Sequence, residues 1–402
     1  MEGIKIAWKR SFADLKANDY VVLLLITSAF VSVFLQTALM VLLPLYALLS
    51  RQGKKLLPKK KSDFLLIAFS LVAMLSTLLF SKDAVITDGA LVKASYLKLL
   101  SVGIFILCFD IFFFVSILRR RSFLLGLKLS AVLSITSFAV AVYQKATGIF
   151  PDPIQRPGRV ASVFMNENYY GTIIEFIALI CLYFIFRSES LREKIFFAIV
   201  YAMNVFGLWL CQSRMAYIVV ALSFLLFLFV FQRRAAYIVM IILAGFSSVL
   251  IRFPALLPRF DSILSYLDFR LGIWDCAFRA FRLSPWIGRG YYSYSSIWTE
   301  VFAEEYFPAL HAHNLYIELL INFGIIGFLL LSLFVLNKIF SCLKICYQQK
   351  DSLSIALIGS AALCIAVHGC ADITIFWPQT GIFAALLFAS PQVYVSKEDF
   401  TE

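Results

Sequence analysis

The chain is divided by its hydrophobic pattern. Long apolar runs lie at about 64–80, 95–118, 123–144, 169–186, 195–211, 215–231, 235–251, 312–336, 353–371 and 379–394, with short charged or polar segments between them. Each is close to the ~20 residues that carry a helix across a bilayer. Ahead of them, residues 20–50 form an uninterrupted uncharged stretch. As one helix it would rise ~46 Å, well beyond a hydrocarbon core of about 30 Å. Its flanks are both basic (Lys5, Lys9, Arg10 and Lys16 before; Lys59, Lys60 and Lys61 after). Both flanks then belong in the cytoplasm, which requires an even number of crossings. The stretch is therefore predicted to be a hairpin of two short helices turning near Gln36, with one long tilted helix as the alternative. The count is about 12 transmembrane helices in an all-α polytopic membrane protein, with both termini cytoplasmic. No internal repeat or linker divides residues 1–402, so one domain is expected. The first apolar run begins near Tyr20 and continues without a small-residue cleavage site, so no cleavable signal is expected.

Charge sorts the loops. Arg51, Lys54, Lys55 and Lys59–Lys61, then Arg119–Arg121, then Arg233 and Arg234 mark 51–63, 119–121 and 232–234 as cytoplasmic, together with 187–194 and 337–350. The opposite side receives 81–94, 145–168, 212–214, 252–311 and 372–378. The longest of these, 252–311, is predicted to be a mostly helical extracytoplasmic loop. It holds Arg252, Arg259, Arg270, Arg279, Arg282 and Arg289 and no lysine. Arginine on the side where basic residues are normally depleted points to bidentate capture of phosphate or carboxylate. Pairing with Asp261, Asp268, Asp275, Glu300, Glu304 and Glu305 is the structural alternative.

Composition agrees and excludes other classes. The chain is 61% hydrophobic and 15% charged, with mean hydropathy +0.88; soluble domains are about 25% charged. A soluble enzyme, a disordered chain and a disulfide scaffold are ruled out. The net charge of +12 sits in membrane-flanking loops, so it signals anionic lipid and not nucleic acid. The eight cysteines form no CxxC pair and are read as packing residues. No Walker loop, GxGxxG, HExxH or GxSxG occurs, and neither a metal nor another cofactor is expected.

Four clusters on the expected outer side carry the chemistry. They are Arg159 to Asn168 at the start of a helix; Cys-Gln-Ser-Arg ending at Arg214; Arg270-Leu-Gly-Ile-Trp274 followed by Ser-Pro-Trp-Ile-Gly-Arg-Gly ending at Gly290; and His311-Ala-His313-Asn314, nine residues, then Gly324-Ile-Ile-Gly327. Taken in this order the chain resembles the O-antigen ligase and polymerase superfamily of bacterial membrane glycosyltransferases (GT-C type). The His-Asn, nine residues, Gly-x-x-Gly element is the most specific part. Phe328 departs from the small residue or tyrosine that usually follows the second glycine in ligases, which leaves ligase against polymerase open.

The resemblance implies a glycan donor on undecaprenyl diphosphate, a glycan or lipid acceptor such as lipid A–core, and a site on the extracytoplasmic face of the bacterial inner membrane. It implies that Arg214 and Arg270 hold the diphosphate and that His313 is the catalytic base, inverting the anomeric carbon. Arg159, Asn168, Arg289, His311 and Asn314 are further candidate substrate contacts. Polysaccharide-assembly proteins are expected as further partners. Each residue also has a plainer role open to it. His313 could cap a helix, Arg270 could stack on Trp274, Asn166 and Asn168 could cap the following helix, and Gly324 and Gly327 would admit a neighbouring helix. Asp110 and Asp372 are left without a role. A non-catalytic flippase of lipid-linked sugars and a passive scaffold are the alternatives from other classes.

Overall fold

The computed structural model describes residues 15–85, 91–149, 158–259, 263–296, 309–388 and 390–395. Thirteen α-helices carry the fold among these residues: α1 Ala17–Ala29, α2 Val33–Leu49, α3 Asp63–Phe80, α4 Ala94–Ile117, α5 Arg120–Thr147, α6 Glu167–Arg187, α7 Leu191–Cys211, α8 Arg214–Phe231, α9 Arg233–Arg252, α10 Ile263–Leu283, α11 Leu315–Gln348, α12 Ser352–Gly369 and α13 Pro378–Phe388. Among the described residues the only strands are a two-residue antiparallel ribbon, Ala84–Val85 with Leu91–Val92. The protein is all-helical and multi-pass. Nine of the described helices (α3–α9, α11 and α12) are long and apolar enough to cross a membrane. The three remaining expected spans are shorter helices of 13, 17 and 11 residues, or ~20, 26 and 17 Å of rise.

The hairpin forms, but its turn lies at residues 30–32 rather than near Gln36. Ser32 starts α2 by accepting the Phe34 N–H at 3.2 Å; a short hydroxyl side chain reaches back to the helix start as glutamine does not. Gln36 is fully buried and donates to the Pro378 carbonyl at 3.0 Å. The hairpin ends meet where Asn18 bonds Gln52 at 2.8 Å and Tyr46 at 3.1 Å.

Ion pairs gather at that same end. Arg119 pairs with Asp19, Lys338 with Asp63 at 2.7 Å, and Lys128 with Glu193. Arg120 donates to Val393 O at 3.0 Å. The loops grouped by basic charge therefore share one end of the bundle. The candidate site residues lie at the other. Buried on most sides, α6 runs through the centre with 83% of its spanning window buried, whereas α9 lies at the periphery with 11%.

α11 starts at Asn314 and runs to Gln348, broken at Gly324 (φ 67°, ψ −174°). This corrects the reading of Gly324 as a helix–helix contact, because the irregular backbone of 285–290 fills the break. Ile325 and Ile326 donate to Pro285 O and Trp286 O at 2.8 and 3.0 Å. Arg289 and Gly290 donate to Ile321 O and Asn322 O at 3.1 and 2.8 Å. The Pro-x-x-Gly-x-Gly and Gly-x-x-Gly motifs are thus one structural unit.

Candidate active site

The centre of the site is a short turn, Ala309 to Asn314, leading into α11. His313 takes a left-handed backbone conformation there (φ 50°), which costs an L-residue about 1–2 kcal/mol and persists only where neighbours enforce it. Side chains hold every backbone polar group of Ala312 and His313. The Ala312 N–H donates to Glu318 at 2.8 Å, and Trp274 Nε1 donates to Ala312 O at 3.0 Å. The His313 N–H donates to His311 Nδ1 at 3.1 Å, and Arg270 Nη1 donates to His313 O at 3.0 Å. Arg270 and Trp274, one turn apart on α10, thus grip consecutive carbonyls. Arg270 Nη1 also donates to Ala371 O, tying the histidine turn to the end of α12. Glu318 is itself held by Asn322 at 2.8 Å.

Asp372 completes the centre. Its Oδ1 lies 3.7 Å from His313 Nδ1 and 3.9 Å from His311 Nε2, and its Oδ2 accepts from Asn168 at 2.8 Å. Burial acts to raise its pKa, but the surrounding imidazoles of His313, His311 and His368 overcome that and hold the carboxyl well below its usual range. It is an anion throughout the physiological range. His313 keeps 31% of its side chain exposed, so the imidazole can meet a substrate from the open side while Asp372 backs it.

The other expected residues take defined places. Arg159 is 4% exposed; it donates to Cys211 O at 3.1 Å and Asn168 Oδ1 at 3.0 Å and pairs with Glu167 at 3.4 Å. Asn168 therefore relays between Arg159 and Asp372. Asn166 caps α6, accepting from the Asn168 N–H at 2.7 Å. Asn314 caps α11, accepting from Tyr316 and Ile317, and donates to Cys370 O at 3.1 Å. Arg214 is the first residue of α8, after Gln212 in left-handed conformation and the buried Ser213. Arg289 is half-buried beside the α11 break. Of the carboxylates expected to balance the long loop, Asp275 pairs with Arg279 at 2.6 Å; Asp261, Glu300, Glu304 and Glu305 lie outside the described residues.

Sequence reasoning singled out Asp372 without giving it a role and missed Glu318 and Glu175, the last buried with His368 Nδ1 2.6 Å from its Oε1. The available signal for Asp372 was an acid in the seven-residue segment 372–378 between two apolar runs. Asp110 is buried in α4 with Oδ1 unbonded. All the described cysteines but Cys370 are buried.

One ligand atom each from His311, His313 and Asp372 lie within 4.8 Å of one another, a spacing that could hold a metal ion. The hydrogen bonding disfavours it. His311 Nδ1 accepts the His313 amide, so neutral His311 carries its proton on Nε2, and the nitrogen facing Asp372 is a donor without a free lone pair. Burial, and then the neighbouring His313, push the His311 pKa down to about 4. Its folded pKa thus lies below the unfolded value of about 6.5, so protons bind preferentially to the unfolded state as pH falls through that window. Stability is full above pH ~6.5 and declines towards pH 4. Thermal melts of the wild type and His311→Gln at pH 7.5 and 5 test this: the wild type should lose more of its midpoint, and equal losses would refute it.

This arrangement defines a class: a multi-pass membrane protein with an imidazole, a buried carboxylate and several guanidinium groups gathered at one end of the bundle. Comparison with known proteins shows what part of the chain is similar to. Residues 197–332, about a third of the chain, match the family model described as O-antigen ligase. A 125-residue stretch is 30% identical to the exopolysaccharide production protein ExoQ of Rhizobium meliloti (strain 1021), covering 28% of this chain and 28% of that relative. Over these stretches the chain is similar to the O-antigen ligase-like superfamily, and it spans less than a third of the curated relative it matches. The family segment contains Arg214, Arg270, Arg289 and the whole histidine turn; Arg159, Asn168 and Asp372 lie outside it in sequence and join it in space.

Proposed function

We propose that the protein transfers a glycan from a polyprenyl diphosphate to an acceptor hydroxyl on the outer face of the bacterial inner membrane, inverting the anomeric carbon without a metal ion. The observation that carries this reading is the His313–Asp372 pair set beside Arg270. His313 takes the proton of the acceptor hydroxyl, whose oxygen bonds the anomeric carbon as the bond from that carbon to the phosphate oxygen breaks. Histidine suits this because its ordinary pKa lies near neutrality. Asp372, an anion 3.7 Å away, orients the ring and stabilises the imidazolium that forms. The leaving lipid diphosphate gathers negative charge, and preorganised cations in a site of low dielectric stabilise it by several kcal/mol. Arg214 and Arg270 supply them, Arg214 from the N-terminus of α8, where the helix dipole adds to its charge. Arg159 and Asn168 support the site by holding Asp372, and Arg289 lies at its edge.

The deciding experiment incubates purified protein with a lipid diphosphate-linked oligosaccharide and candidate acceptors. Release of undecaprenyl diphosphate together with a new glycoside supports transfer; movement of the donor across the bilayer without a new bond makes the protein a flippase. A polymerase that extends a lipid-linked chain is the second reading, favoured by the relative's name as an exopolysaccharide production protein; a lipid-linked repeat unit serving as the acceptor would select it.

Two predictions follow from the arginine account. Arg214→Lys keeps the charge and loses the bidentate fork, so donor affinity and single-turnover rate should fall together, since the guanidinium meets the diphosphate before and during departure. Unchanged donor affinity would remove Arg214 from the donor site. Turnover should persist in EDTA; a loss that Mg²⁺ or Mn²⁺ restores would reject the account and direct attention to Glu300, Glu304 and Glu305.

A further inference from the structure

Glu175 and His368 are buried inside the bundle and have no step in the reaction described above. Their place in the fold gives them a part in it. Asn168, Thr172 and Glu175 follow at steps of four and three residues along one face of α6, and each meets a different point of the segment that carries Asp372. Asn168 donates to Asp372 Oδ2 at 2.8 Å, Thr172 Oγ1 donates to Thr374 Oγ1 at 2.8 Å, and Glu175 Oε1 lies 2.6 Å from His368 Nδ1. His368 stands in the last turn of α12, and its carbonyl accepts the N–H groups of Ala371 and Asp372 at 2.9 and 3.0 Å. The segment is thus tied to α6 before, at and after Asp372. The deepest of the three ties, at Glu175, lies ~10 Å along the helix from Asn168. The second oxygen of that carboxyl, Oε2, is buried without a partner. Glu175 also lines a void of about 10 Å³ together with Thr172, His368, Asp372 and Thr374. That is room for one water among polar side chains able to hold it.

We propose that Glu175 is a positioning residue for the His313–Asp372 pair, acting through His368 and through one buried water in that void. The inference rests on the part given to Asp372 in the reading above and adds what keeps Asp372 in place. Asp372 belongs to an irregular segment after α12, and it can orient the imidazole 3.7 Å away only if that segment does not drift. A shift of about 1 Å at a reacting group can cost on the order of 10²-fold in rate. Packing α12 against α6 needs no carboxyl, since apolar side chains of the same volume would do so with less desolvation. A hydrogen bond fixes direction as well as contact. From the central helix α6, Glu175 sets the His368 ring, and the His368 carbonyl sets the backbone of Asp372.

The test compares Glu175→Leu, Glu175→Gln and Thr172→Val of the full chain in nanodiscs by single-turnover transfer, donor affinity and thermal midpoint. Glu175→Leu should slow transfer about tenfold at unchanged donor affinity, because the pair it positions acts in the transition state. Glu175→Gln keeps a hydrogen bond to His368 and should recover most of the rate. Thr172→Val is close in shape and loses the bond to Thr374, so it should cost about threefold, the weight of one hydrogen bond. Both losses should vanish in an Asp372→Ala background, where the residue they act through is gone. A cryo-EM map should show one water peak within hydrogen-bond distance of Glu175 Oε2. Losses that persist at full size with Asp372→Ala, that follow the thermal midpoint, or that Glu175→Gln does not relieve would overturn the proposal. A map without the peak strikes the water from it. If Glu175→Leu does not fold, the Thr172→Val cycle decides. Normal transfer by the wild type and by the folded variants refutes the positioning role alone, whereas a wild type that forms no glycoside from any donor refutes the glycosyltransferase reading and the role with it.

Discussion

Replacing His313 by alanine is expected to cut single-turnover glycosyl transfer by about 10²–10⁴-fold, the usual contribution of a positioned general base, while donor binding and the folded state persist. The turn is held through backbone groups: Arg270 grips the His313 carbonyl, and the His313 N–H bonds to His311. Alanine retains both groups and carries the same Cβ at φ 50°, so the substitution removes the imidazole and little else. Asp372→Asn should also slow transfer, by less, since it removes the charge behind the imidazole but leaves the base. The measurement is donor affinity and single-turnover rate for each variant in nanodiscs, with thermal midpoints as the folding control. Near-normal transfer by His313→Ala would make the histidine a structural turn residue and end the enzyme reading as written.

The largest effect on the fold itself is expected at Gly324. A Cβ there would lie 2.3 Å from the Trp286 carbonyl carbon and oxygen and 2.4 Å from the Ile287 nitrogen, at φ +67°. These are backbone atoms, held in place by four hydrogen bonds between 285–290 and 321–326, so no side-chain rotation relieves the overlap. Gly288 faces the same junction, with Asn322 backbone 2.3 Å from its would-be Cβ. Gly324→Ala or Gly288→Ala should therefore destabilise the protein by on the order of 4 kcal/mol, in the range reserved for disruption of a special backbone conformation. It should also abolish transfer, because Glu318 and Asn322, which support the histidine turn, precede the break on α11. Gly359→Ala is the control: helical, with nothing within 4 Å of an added Cβ, it should leave the thermal midpoint unchanged or slightly higher. Equal midpoints for all three variants would show that the junction is not as tight as it stands here.

Much of the site was legible as residues and little of it as contacts. Arg214, Arg270 and His313 stood out because each belongs to a short motif of chemically demanding residues in an otherwise apolar chain. Their partners did not. Asp372 lies 59 residues beyond His313 in the chain, in a segment with no motif of its own. Arg270 stood out as a phosphate contact, but nothing in the chain announced that its Nη1 also holds the His313 carbonyl, or that Trp274 holds that of Ala312. Asn314 read as an orienting group for substrate, and its oxygen caps a helix.

The sequence by itself determined the helical multi-pass architecture, because spans of apolar residues of bilayer length leave no other way to satisfy the backbone. It also determined the division of loops between two ends, since basic charge and apolar length are both local properties that need no partner. The tertiary structure alone decided where the first hairpin turns, that two glycine motifs close on each other, and that Asn168, His311, His313 and Asp372 form one cluster. Those outcomes depend on contacts between segments far apart in the chain. Such contacts are selected by shape and by the need to pair every buried polar group, and neither is written in any one stretch of residues.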